Sequence, residues 1–169
     1  MNILFLDTAK FSADSRAGLH KWPTTVDETQ GYVTQAPGGD YHLLPVETVS
    51  LDEIPAKLAR RHNVIGTFHS HPFGCHSSRC YHQPPSLKDL ESFRRLSLGP
   101  VGLPVHLIVT KGGIVFVKTH RSSKKRWNEM MKKLGALQQK KNMPREQEPL
   151  WYNLAAEFPD VMTVTRLKH

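Results

Sequence analysis

Apolar and polar positions along this chain change period several times, and each change predicts an element. Residues 2–6 form a short apolar run before Asp7 and read as a buried strand. Residues 10–24 are polar and aperiodic, and read as irregular. Glu28 to Thr34 and Tyr41 to Val46 are strand-like runs on either side of the turn signal Pro37-Gly38-Gly39-Asp40, so residues 28–46 predict a hairpin. Ser50-Leu51-Asp52-Glu53 has the spacing of a capping box, and Ile54, Leu58 and Ala59 continue it as one apolar helical face up to His62. Val64 to Phe68 predicts a strand that runs directly into His69, and Pro72 to Pro85, with little apolar content, predicts a loop. Ser86 can cap a helix through Leu90, Phe93 and Leu96 that ends at Gly99-Pro100. Val105 to Val109 and Ile114 to Val117 flank Lys111-Gly112-Gly113 as a second hairpin. From Ser123, the residues Trp127, Met130, Met131, Leu134 and Leu137 recur at helical spacing until Pro144. Trp151 to Phe158 predicts a further helix, and Val161 to Leu167 a last strand.

This mixture of strands and helices predicts an α/β (α+β) protein, with helices flanking a sheet. A chain of 169 residues suits one domain and can bury a core without disulfide staples. We divide it into a core at residues 1–120 and a C-terminal part at 121–169, a basic helix followed by a closing helix and strand packed on the same domain. No apolar run approaches the ~18 residues of a membrane span, and the first residues do not read as a signal peptide. The expectation is a soluble, cytoplasmic protein without a membrane partner.

Charge changes this picture in one place. The formal net charge is +8, but residues 111–145 hold eleven Lys or Arg against Glu129 alone, so that segment is +10 and the remainder −2. Such a segment suits nucleic acid or another acidic partner, or is simply a solvated helix face.

The candidate chemistry starts at His69 and His71. Residues i and i+2 of an extended strand point to the same face, so both imidazoles can reach one ion. Asp89, three residues after Ser86, falls in the first helical turn, where orphan N–H groups and the helix dipole favour a carboxylate. A strand end facing a helix start can thus offer His69, His71 and Asp89 to one metal. Three protein ligands leave a fourth position for water, which is the pattern of catalytic zinc.

His69-Ser70-His71-Pro72 followed by Pro85-Ser86-Leu87-Lys88-Asp89 resembles the JAMM (JAB/MPN+) metalloprotease motif, and Glu28-Thr29-Gln30-Gly31 is similar to that family's upstream glutamate element. The resemblance covers roughly residues 26–118 and is to JAB domains of prokaryotic or viral type. It implies a cytidine-deaminase-like JAB/MPN sheet flanked by helices, with the zinc site at a strand end facing a helix N-terminus. It implies that His69, His71 and Asp89 hold Zn²⁺, that Glu28 is the general base, and that Ser86 donates a hydrogen bond to the oxyanion. Glu47 and Glu53 are rival bases, although Glu53 already has a capping role. The implied activity is hydrolysis of an amide or isopeptide bond in a protein substrate supplied in trans, a ubiquitin-like or sulfur-carrier protein. The alternative is a JAB-fold binding module that uses the basic segment for nucleic acid or a protein scaffold. In one respect the chain departs from the family: fourteen residues, Pro72 to Pro85, separate the second His from the Ser, a longer spacing than is usual there. That loop contains Cys75, His76, Cys80 and His82, which are either a second, structural metal site or incidental residues of a substrate loop.

Overall fold

A computed structural model describes residues 6–25, 27–49, 63–71, 87–99, 102–110, 113–138 and 148–168. Its centre is a six-stranded mixed sheet. The strands are β1 (Gln30–Gln35), β2 (Tyr41–Val46), β3 (Asn63–Ser70), β4 (Val105–Thr110), β5 (Gly113–Thr119) and β6 (Met162–Leu167). They lie side by side in the order β2-β1-β3-β4-β5-β6, and only β3 and β4 are parallel. Among the described residues four α-helices accompany the sheet: α1 (Ala13–Lys21), α2 (Leu87–Leu98), α3 (Lys124–Gln138) and α4 (Glu148–Glu157).

Both expected hairpins form. Tyr32 lies opposite Leu44 in the first and Leu107 opposite Phe116 in the second. Gly39 takes φ +92° in the first turn, a conformation that L side chains rarely adopt. The parallel pair β3–β4 needs a crossover, and α2 lies on that connection. At Gly66 a Cβ would overlap the Val105 carbonyl oxygen, so the close approach of β3 to β4 requires glycine there.

Strand periodicity divides the core between the two sheet faces. Val105, Leu107 and Val109 of β4 pack with Ile114 and Phe116 of β5, Phe68 of β3 and Leu19 of α1. Ile108, Val115 and Val117 point the other way, against Leu90 and Phe93 of α2, Trp127, Met130 and Leu134 of α3, and Trp151 and Leu154 of α4. The helical apolar set expected from residue 123 onward is therefore core: Trp127, Met130 and Leu134 are fully buried.

Some expectations are corrected. Residues 10–24 are not irregular, because α1 occupies Ala13–Lys21 between short 3-10 turns at Thr8–Lys10 and Trp22–Thr24. The Ser12 hydroxyl caps α1 by accepting from the Ser15 N–H, and the buried Ser15 hydroxyl in turn accepts from the Leu43 N–H of β2 at 2.8 Å. Small and polar residues make this contact, so hydrophobic periodicity does not reveal it. Leu6 lies in the core but outside any strand, whereas residues 1–5 fall outside the described residues. The helix expected at 50–62 also falls outside them. α4 starts at Glu148, earlier than expected, with Pro149 in the first turn, where its missing N–H costs no helical bond. Among the described residues no helix is long and apolar enough to cross a membrane.

Candidate metal centre

The central strand β3 carries the histidine pair out of the sheet. Phe68 faces the α1 side, so Thr67 and His69 face the α2 side. The backbone stays extended past the end of β3, since the His71 N–H donates to the Val109 carbonyl of β4 at 2.9 Å. The two imidazoles therefore emerge on one face, with His69 Nε2 and His71 Nε2 3.2 Å apart. Asp89 sits in the first turn of α2, and its Oδ1 lies 3.7 Å from His69 Nε2. Donor atoms of all three residues lie within 4.8 Å of one another.

These distances fit a single zinc ion. Ligands 2.0–2.1 Å from a tetrahedral centre are separated from one another by roughly 3.3–3.4 Å, close to the 3.2 Å and 3.7 Å that separate His69 from His71 and from Asp89. Burial, with help from neighbouring His69 and against the pull of Asp89, lowers the His71 pKa to about 4. The ring is then neutral at ordinary pH, the form that ligates a metal. The His69 side chain is 14% exposed and that of Asp89 21%, so a ligand in solution can reach them.

The site opens into a cleft of about 240 Å³ lined by Glu28, Thr67, His69, Lys88, Asp89 and Phe93, among others. Glu28 enters it from the segment just before β1. Gln30 lies directly opposite His69 in the antiparallel β1–β3 pair, and continuing that register by two residues brings Glu28 level with His71. Glu28 is exposed and reaches the cleft without being part of the three-residue ligand cluster. Glu47, the rival base, does not line this cleft; its backbone carbonyl accepts from Gln30 Nε2 at 2.8 Å.

No family model, curated protein or solved structure matches the chain.

The structure thus brings four expected residues, Glu28, His69, His71 and Asp89, to one place. Ser86, the rival base Glu53 and the loop residues Cys75, His76, Cys80 and His82 lie outside the described residues. Two neighbours of the site escape sequence reasoning. His106 of β4 is fully buried beneath it, with Nδ1 3.1 Å from the Thr67 hydroxyl and its ring stacked on Phe93 at 4.3 Å. Ser70, between the two histidines, is also fully buried and bonds to Thr29, in the segment just before β1 that carries Glu28. The one available signal for His106 was its position as a lone polar residue inside Val105–Val109, a run that reads as doubly buried strand.

Proposed function

We propose that the protein is a zinc-dependent hydrolase of amide or isopeptide bonds of the JAMM type, built on a JAB/MPN fold. Its substrate would be a ubiquitin-like or sulfur-carrier protein, or a conjugate of one, supplied in trans. The observation that carries this reading is the cleft that Glu28 lines together with His69 and Asp89, two members of the His69, His71 and Asp89 cluster. The last three residues would hold the metal. A zinc ion there supplies Lewis acidity and brings the pKa of water towards ~7. Glu28 takes a proton from the attacking water and returns it to the amine as the C–N bond breaks. Ser86, which immediately precedes α2 in the sequence, is the proposed donor to the oxyanion.

The test begins with metal. Protein exposed to zinc and then desalted should retain about one zinc per chain, and His69→Ala and Asp89→Asn should each retain less than about a tenth of that. Loss of one ligand or of an outer-shell partner commonly costs a metal site about 10- to 100-fold or more in affinity. The zinc-loaded protein should cleave an internally quenched peptide joined through a Gly-Gly–lysine isopeptide bond. Wild-type protein without zinc, or variants that bind it equally well, would sink the reading.

A specific charge pattern favours a second reading, a nucleic-acid-binding face. On the side of α3 near α4, the cations are neutralised: Arg126 pairs with Asp160 and Glu129, and Lys133 pairs with Glu157. Lys124, Lys125 and Lys132 are exposed and have no ion pair among the described residues. Trp127 is buried and unable to stack on bases, so any contact is with phosphate. Three phosphate contacts predict that log K for a short mixed-sequence DNA duplex falls with log salt at a slope of roughly −2.7. Lys124→Glu/Lys125→Glu/Lys132→Glu should abolish that binding while leaving zinc content unchanged. Binding that is insensitive to salt, or unaffected by the triple change, would leave this face a solvated surface.

A further inference from the structure

Ser70 lies between two proposed metal ligands yet plays no part in the ligand set. It is fully buried, and its N–H and hydroxyl both turn towards the segment that delivers Glu28. The Ser70 N–H donates to the Thr29 carbonyl at 2.8 Å, and the Thr29 N–H donates to Ser70 Oγ at 2.9 Å. The regular β1–β3 ladder ends one residue earlier, at Gln30 opposite His69. Beyond that point the Ser70 hydroxyl takes the place that a backbone carbonyl would hold in a continued ladder. Alanine, valine or leucine at this position would provide no such acceptor, and the Thr29 N–H would be left to find another partner.

We infer that Ser70 is a positioning residue for Glu28: its hydroxyl clamps Thr29 and thereby fixes the base relative to the histidines on either side of Ser70. The inference rests on the hydrolase reading above. The arrangement is economical in chain length, because one three-residue stretch carries two metal ligands and the anchor of the base. Continuing the register by one residue beyond Thr29 leads to Glu28, which the ladder no longer holds. Without the clamp, the last fixed point before the carboxylate moves back from Thr29 to Gln30. A base displaced by about 1 Å can cost up to 10²-fold in rate without any change in what is bound.

The experiment uses the zinc-loaded full chain and the quenched Gly-Gly–lysine isopeptide. Ser70→Ala should keep wild-type zinc content and KM while kcat falls roughly 10- to 100-fold, and the Thr29 amide should lose protection from hydrogen exchange. Ser70→Thr, which keeps the hydroxyl, should recover most of kcat; Ser70→Cys, which keeps the shape but is a poor acceptor, should not, and it serves if the alanine variant does not fold. In a Glu28→Gln background, Ser70→Ala should have no further effect, because the residue it positions no longer acts as a base. Full kcat in Ser70→Ala or Ser70→Cys overturns the inference. So does an equal loss with and without Glu28, or a loss of zinc together with kcat, since either would mean that Ser70 supports the ligands and not the base. Wild-type protein that binds no zinc and does not cleave overturns the hydrolase reading itself, and the inference with it; that result is distinct because it appears before any Ser70 variant is made.

Discussion

Glu28→Gln protein should bind zinc like the wild type, melt at the same temperature, and hydrolyse the isopeptide roughly 10²- to 10⁴-fold more slowly. Each part of this expectation has its own physical origin. Glutamine has the shape of glutamate, so a residue that is exposed at the mouth of the cleft is replaced without opening a cavity. Glu28 is not one of the three clustered ligands, so the metal keeps His69, His71 and Asp89. A side-chain amide can still accept a hydrogen bond, but it cannot take up a proton and give it back, and that is the step the reaction loses. Glu47→Gln is the matching control. Glu47 is another exposed glutamate, just past the second strand of the same hairpin, but it does not line the cleft, so its replacement should leave both zinc and rate unchanged. Zinc content by atomic emission, thermal midpoint and initial rates on the quenched isopeptide suffice. Full activity in Glu28→Gln would remove the base from the mechanism, and equal losses in the two variants would mean that general charge, not position, is being measured.

The site was legible in the sequence wherever chemistry follows from local spacing. Two histidines two residues apart on a strand share a face wherever that strand lies, and a carboxylate three residues after a serine falls in a first helical turn wherever that helix packs. Both hairpins and the buried face of α3 were legible for the same reason, since turn residues and a 3.6-residue period are local properties. What was not legible depends on partners distant in sequence. Ser70 reads as a spacer between ligands until its bonds to Thr29, forty-one residues away, are visible. Likewise, α1 docks through the Ser15 hydroxyl to a strand-edge N–H, an interaction with no hydrophobic signature. The parallel β3–β4 pairing is a third case, because it brings Thr67 level with His106, thirty-nine residues away along the chain.

His106 leads to the second large expectation, a stability that falls steeply as the pH is lowered. Its ring is fully buried between the sheet and α2, stacked on Phe93 and bonded through Nδ1 to the Thr67 hydroxyl. Burial lowers its pKa to about 3, the nearby His69 adds to that effect, and the Leu103 backbone opposes it weakly. In the unfolded chain the same ring titrates near 6.5. Between these values the unfolded state binds one proton more than the folded state, so the sign is fixed: the neutral ring contributes stability that is fully present above pH 6.5 and is lost as the pH falls towards 3. One proton corresponds to a slope of about 1.4 kcal/mol per pH unit, so about two units of acidification remove roughly 3 kcal/mol from a domain whose total stability is of order 5–15 kcal/mol. Replacing the ring by an uncharged polar side chain in His106→Gln should cost some stability at pH 7, where the stacking on Phe93 is lost, and should flatten the dependence between pH 6 and pH 4. Urea denaturation of zinc-free wild type and variant, measured side by side over that range, isolates this one residue, because every other titrating group, including His69 and His71, is common to both. Parallel curves for the two proteins would mean that His106 is as easily protonated in the folded protein as in water, which is incompatible with a ring sealed beneath the cleft.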